Sequence, residues 1–261
     1  MCGRFVSARK RLELLEEFEA LRDRAGEDRS PDYNVAPTKQ IYAVLGRPSG
    51  GGTPERELRL VRWGLVPSWA KNASGGARLI NARAETVAVK PAFRGAFARR
   101  RCLIPADGYY EWQQPAAAGS KVKQPFYIYR TDGGVLAFAG IYELWRDASV
   151  PADHLDGWLW TASIITTDAP DEIGRIHDRM PMVIARDRWA DWLDPANNDK
   201  ELLQATLLPA SAAGGLTSHP VSTAVNSVRN NGPELIEPLQ AEDDSGAAGP
   251  GSAGTRRPPL F

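Results

Sequence analysis

Cys2 directly follows Met1. A small side chain at position 2 permits removal of the methionine, which leaves a 1,2-aminothiol at the start of the chain. Its α-amine titrates at about 7.7–8.0 and its thiol at about 8.5, so both nucleophiles are partly available near neutrality. The amine can attack an aldehyde to give a Schiff base, and the thiol can then close a five-membered thiazolidine. The plainer alternative is a frayed terminus whose cysteine does nothing. Cys102, in Arg101-Cys-Leu-Ile-Pro105, reads as a core thiol.

Other groups could share in such chemistry. His177, in Ile176-His-Asp-Arg-Met-Pro181, is a loop imidazole beside an apolar strand, suited to acid–base work or to a structural role. His154 and His219 have weaker contexts. Glu111 lies in the aromatic run Gly108-Tyr-Tyr-Glu-Trp112. Among Tyr109, Tyr110 and Trp112 its carboxyl would be desolvated and its pKa raised, unless it sits exposed on a strand. Asn81 in Asn81-Ala-Arg-Ala-Glu85 could orient a nucleophile, and Arg83 could grip a phosphate. Trp63 and Trp69, in Arg62-Trp-Gly-Leu-Val-Pro-Ser-Trp69, could stack on the bases of a single strand or simply fill a core.

Equal numbers of Lys+Arg and Asp+Glu, 32 each, hide an asymmetry. Residues 59–103 carry ten basic side chains against one acidic, Glu85, whereas residues 104–261 carry twelve basic and twenty-one acidic. Such polarisation can build a basic face on a neutral protein, or scatter its arginines over several faces. Two Cys exclude a disulfide framework, and two Cys with three scattered His make no ordinary zinc site, so no cofactor is expected. No apolar run reaches about 18 residues, and the N-terminus lacks a signal peptide's apolar region. A soluble, cytoplasmic protein is expected.

The elements that must position these groups are mostly strands. Residues 8–25 read as a helix, with Leu12, Leu15, Phe18 and Leu21 at helical spacing, Ser7 as cap and Gly26 as stop. Short β-branched or aromatic runs follow at 41–45, 58–61, 126–129, 136–141, 159–166 and 182–185. Helical patches return at 186–193 and 199–207. Loops are expected at 46–55, 72–77 and 115–124. With a hydrophobic fraction of 43%, the chain can bury a real core. The fold class is α+β: a single compact domain over 1–240, with a mainly antiparallel β-rich core and flanking helices. A Gly/Ala/Ser-rich tail, 241–261, is expected to be disordered.

Several blocks, taken in order, resemble one family. They are Met1-Cys-Gly-Arg-Phe5, Tyr33-Asn-Val-Ala-Pro37, Arg62 to Trp69, Asn81 to Glu85, Arg101 to Trp112 and His177 to Pro181, with Val225-Asn226 and Pro233-Glu-Leu-Ile236 beyond. Together they are similar to the SRAP family (SOS response-associated peptidase), the abasic-site processing proteins, over residues 2–236. The resemblance implies single-stranded DNA with an abasic site as substrate. It implies Cys2 as a crosslinking nucleophile exposed by autocatalytic loss of Met1, Asn81 as an orienting amide, Glu111 as catalytic carboxylate and His177 as catalytic imidazole. Arg4, Arg83, Trp63 and Trp69 match positions that would face DNA. The expected product is a thiazolidine crosslink. It removes the imine that would otherwise promote β-elimination, and so shields the strand.

Two other classes stay open on the residues alone: a thiol peptidase or hydrolase using Cys2 or Cys102 with His177, and a non-covalent reader of damaged or modified DNA. A monomer is expected. The final Arg256-Arg-Pro-Pro-Leu-Phe261 is a candidate sliding-clamp peptide, although it lacks the usual upstream Gln.

Overall fold

Runs of β-branched and aromatic residues bounded by Gly, Pro and Asp extend into strands because their side chains pack well on a pleated surface. The computed structural model describes residues 2–48, 54–115, 122–151, 153–207 and 215–239. In chain order the elements are β1 (Arg4–Ser7), α1 (Arg11–Glu17), β2 (Arg22–Arg24), β3 (Asp32–Val35), β4 (Gln40–Arg47), β5 (Glu55–Trp63), β6 (Asn81–Arg83) and α2 (Arg94–Arg99). Then come β7 (Arg101–Ala106), β8 (Gly108–Gln113), β9 (Gln124–Arg130), β10 (Leu136–Arg146), β11 (Trp158–Asp168) and α3 (Asp171–Gly174). Last are β12 (Arg179–Pro181), α4 (Trp189–Leu193), α5 (Lys200–Leu207) and β13 (Leu216–Pro220).

The larger sheet runs β12-β11-β10-β7-β4-β5-β2, with β6 hung on β11. β5 also meets β11 in parallel, Thr161 opposite Arg62 and Ala162 opposite Trp63, so the middle of the sheet closes on itself like a barrel. The smaller sheet runs β13-β9-β8-β1-β3 and is antiparallel throughout. This single domain is the expected β-rich α+β fold.

The two faces of the large sheet pack differently. Ile41, Leu45, Val61, Trp63, Ile104 and Phe138 meet Phe5, Tyr109 and Ile128 of the small sheet. The opposite face, with Val44, Leu58, Leu103 and Ile141, lies under Phe18, Phe97, Trp189 and Trp192. α1, α2, α4 and α5 each have eight residues or fewer. Helices this short are marginal alone. Burial of such a ring contributes about 1.5–3 kcal/mol, enough to hold them.

Some expectations are corrected. The first helix stops at Glu17, because Glu19 takes φ +49° and turns the chain into β2, while Ser7 ends β1 rather than capping the helix. The strand expected at 182–185 lies instead at Arg179–Pro181. Pro181 has no N–H to continue the ladder, and beyond it only an isolated bridge joins Val183 to Phe138. Residues 73–78 form a 3-10 turn capped by Asn72. Among the described residues no helix is long and apolar enough to cross a membrane. The tail, 241–261, lies outside the described residues.

Candidate active site

The N-terminal segment is an inner strand. β1 lies between β3 and β8, with Arg4 opposite Tyr110 and Phe5 opposite Tyr109. Arg4 does not reach outward: it donates to Asn34 Oδ1 at 2.8 Å and to the carbonyls of Val225 (2.8 Å) and Asn226 (3.4 Å). Asn34, itself buried, donates to the carbonyls of Val225, Ser227 and Asn230. The C-terminal segment thus clamps β1 from outside, and Arg4 serves as an anchor.

Cys2 has no solvent exposure. Its carbonyl accepts from Asn81 Nδ2 at 2.7 Å, and its thiol points to the Arg4 carbonyl at 3.9 Å. Burial, then the charge of Glu111, push the thiol's pKa well up, so the resting group is the neutral thiol. Asn81 begins β6, which pairs with β11 at Ile164. Its Oδ1 is buried with no donor among the described residues.

Glu111 is 2% exposed on β8, on the same pleat face as Tyr109. Burial raises its pKa from 4.5 to about 7, opposed by the positive amino terminus of the chain and reinforced by Asp178. The sequence-based expectation of a desolvated carboxyl agrees with this environment. Tyr109, fully buried beside it, has a hydroxyl with no partner among the described residues.

His177 follows α3, whose Ile173 and Ile176 pack in the same cluster as Cys2. Gln113 Nε2 donates to the Arg175 carbonyl at 3.1 Å, tying this turn to β8 just beyond Glu111. The Arg179 backbone N–H lies 3.0 Å from His177 Nδ1. Burial, chiefly, lowers the imidazole's pKa and keeps it neutral near pH 7. The 2.8 Å contact of Nδ1 with Asp178 becomes an ion pair only on protonation of the ring. Cys2, Asn81, Glu111 and His177 therefore gather at one end of the interface between the sheets.

Trp63 does not face outward, which corrects the expectation for it. It is fully buried, packs edge-on to Phe5 at 5.2 Å between ring centroids, and donates from Nε1 to the Ile80 carbonyl at 3.0 Å. It props the residue before Asn81 against β1. The next residue, Gly64, takes φ +124° in a spot where a Cβ would lie 2.7 Å from the Gly76 carbonyl, a place for glycine alone. Beyond it Trp69 is 70% exposed. Arg83 is exposed on β6.

The basic block is divided rather than gathered on one face. Lys71, Arg78, Arg83 and Lys90 are exposed. Arg59 stacks on Trp160 at 3.9 Å and pairs with Glu57. Arg101 is buried, and Arg94, Arg99 and Arg100 line a cavity elsewhere. Sequence reasoning assigned no role to Asn34 or Arg179, though both lie inside quoted blocks. Arg179 joins Glu85 (2.6 Å) to Asp168 (2.6 Å), bracing β6 against β11. The available signal was a charged residue inside a short motif, with Asp168, Asp171, Glu172 and Asp178 in the eleven positions before it. Among the described residues no three of His, Cys, Asp and Glu gather as metal ligands.

Residues 1–228 match the profile of a family described as SOS response associated peptidase (SRAP). The abasic site processing protein YoaM of Bacillus subtilis is 39% identical over 237 residues, 91% of this chain and 98% of the relative. YedK of Escherichia coli, with the same description, is 33% identical over 254 residues, 92% and 100% of the two chains. HMCES of Gallus gallus, also described as an abasic site processing protein, is 31% identical over 276 residues, 92% of this chain and 78% of the relative. Among solved structures, a protein from Bacteroides thetaiotaomicron superposes with a TM-score of 0.73 at 23% identity, covering 92% of this chain and all of that one. That likeness concerns the fold.

Proposed function

Since this chain belongs to the SOS response associated peptidase (SRAP) family, we propose that it processes abasic sites in single-stranded DNA by a covalent crosslink through Cys2. The observation that carries the reading is Cys2 itself: the residue that becomes N-terminal once Met1 is removed, held by the Asn81 amide beside a carboxyl whose burial raises its pKa to about 7.

The site first loses Met1. Glu111 acts as base for the water that hydrolyses the Met1–Cys2 bond, freeing the Cys2 amine. The unsatisfied Asn81 Oδ1 offers that amine an acceptor. The amine then adds to the open-chain C1′ aldehyde of the abasic sugar. A carboxyl with a pKa of about 7 is present in both forms at neutral pH, so Glu111 can take a proton from the amine and return it to the departing hydroxyl. Water leaves and an imine remains. The thiol next adds across the C=N bond, sulfur to carbon and proton to nitrogen, closing the thiazolidine. His177 is the donor to the sugar oxygen when the ring opens.

Trp69 and Arg83 provide the exposed aromatic and cationic surface for a single strand, the one by stacking and the other by phosphate contact. A thiol hydrolase would require a Cys2 thiolate, which burial and the Glu111 charge both oppose. The test is intact-mass analysis of the full chain, alone and with an abasic single-stranded oligonucleotide. The expected species are a chain beginning at Cys2 and a one-to-one adduct weighing the sum of its parts less one water. A chain that starts at Cys2 yet yields no adduct overturns the reading.

A further inference from the structure

A second concave site lies on the face of the large sheet opposite to Cys2. α2 packs there through Ala96 and Phe97, in the cluster that lies under the helices. Beside it is a cavity of about 510 Å³ lined by Arg94, Gly95, Ala98, Arg99, Arg100 and Asn198. That volume falls within the range of small-ligand sites, about 300–1,000 Å³, but the usual apolar lining is replaced by three guanidinium groups.

These walls are fixed from below. The buried Arg101 guanidinium donates to the carbonyls of Phe97 (3.0 Å) and Ala98 (2.7 Å) at the end of α2. It also donates to those of Trp192 (2.7 Å), Asp194 and Asn197 (2.8 Å) on the far wall. One side chain thus joins both sides of the cavity. Burial lowers its pKa to about 10, so it remains charged at neutral pH and adds to the field.

Two of the three lining cations have no direct partner among the described residues. Neither Arg94 nor Arg99 has a hydrogen bond or ion pair among the described residues, and both are exposed. Arg100 gives Nη2 to Glu143 at 2.7 Å, while its Nε is buried with no acceptor among the described residues. Two carboxylates on the far wall turn to backbone amides rather than to these guanidinium groups: Asp194 accepts from Ala196 N, and Asp199 from Glu201 N and Leu202 N. Guanidinium forks match phosphate oxygens in both charge and geometry.

We propose that this cavity is a phosphate-binding site, separate from the site around Cys2. Its ligand carries phosphate groups, supplied by a small free polyphosphate or by the backbone of a nucleic acid strand. The site does not depend on the crosslinking chemistry.

The test titrates the full chain, and its Arg94→Ala/Arg99→Ala double variant, with inorganic pyrophosphate and with undamaged single strands of 30 and 6 nucleotides. Both arginines are exposed, so the melting temperature should barely move. Wild type should bind at least one probe, less tightly as salt rises, and the double variant should bind that probe at least tenfold more weakly. Loss confined to pyrophosphate identifies a small ligand. Loss confined to the 30-nucleotide strand, with a shallower salt dependence, identifies a backbone that reaches from one face to the other. Arg94→Lys/Arg99→Lys should recover part of the lost affinity. If the double variant binds every probe as wild type does, or wild type binds none, the proposal is overturned. Adduct formation on an abasic 6-nucleotide strand, unchanged in the double variant, keeps this outcome apart from that of the Cys2 chemistry.

Discussion

The side-chain amide of Asn81 donates to the backbone carbonyl of Cys2 at 2.7 Å, joining residues 79 positions apart. Asn81 sits on β6, held to the large sheet, and Cys2 enters the small one. The bond therefore joins the two sheets at the point where Cys2 lies.

Asn81→Ala should keep the fold and lose the chemistry. One hydrogen bond contributes about 0.5–1.5 kcal/mol to stability, whereas misplacing a reacting atom by about 1 Å can cost on the order of 100-fold in rate. Single-turnover crosslinking and thermal melting on the same sample separate the effects. An unaltered rate would mean that the amide does not orient Cys2.

Glu111→Gln tests the buried carboxyl through stability. Glu111 titrates at about 7 in the folded chain and near 4.5 when unfolded, so between these values only the native state keeps the proton. Stability must then fall as pH rises through that window, by about 3 kcal/mol when it is crossed. The Gln variant, which cannot ionise, should melt well above wild type at pH 8 and close to it at pH 4. A melting difference independent of pH would place the carboxyl's titration outside the window. The same variant should retain Met1 for longer in a host lacking methionine aminopeptidase activity.

Cys2→Ala separates amine from thiol. After Met1 is removed it still forms an imine, which borohydride traps and water reverses. With no thiol to close the ring, the imine acidifies C2′ and the strand should be nicked by β-elimination. Wild type should give a heat-stable adduct and little nicking. A reductant-independent, heat-stable crosslink from Cys2→Ala would falsify the thiazolidine step.

Trp63 and Trp69 should respond in opposite ways. Trp63→Ala removes a fully buried ring, at a cost of about 3–5 kcal/mol in stability. Trp69→Ala removes an exposed one and should leave the melting temperature alone while weakening single-strand binding by about 1–3 kcal/mol if the ring stacks on a base. Binding by Trp69→Ala equal to that of wild type would remove this surface from the interface.

Most strands were legible because a β-branched or aromatic run carries its own preference, as at 41–45, 136–141 and 159–166. Long-range relations were not. Trp63 and Trp69 share one motif and one basic neighbourhood, and only the pleat decides that the first turns inward. Arg4 reads as a cation free for phosphate until its partners, Asn34 and Val225, are brought beside it from distant parts of the chain. The basic excess of residues 59–103 reads as one surface, yet strand alternation and the turn into β7 send Arg59 to a Trp, Arg101 to the interior and three others to a separate hollow. Cys2, Asn81, Glu111 and His177 were recognisable by type and motif. The burial that sets their protonation depends on packing that no local pattern encodes.

The clamp on β1 also sets a clock. A ribosome delivers Arg4 near the start and the segment that holds it nearly last, since Arg4 must wait 221 positions for Val225. At about 5–20 residues per second this is a delay of roughly 10–45 seconds. Throughout it the start of the nascent chain is open to any aminopeptidase that attends translation. Afterwards the inner strand is seated, with Cys2 buried just before it. If Glu111 removes Met1, as proposed, its step competes with a passing enzyme in a race between elongation and proteolysis, and slowing the ribosome over the last third of the message should favour the outside enzyme.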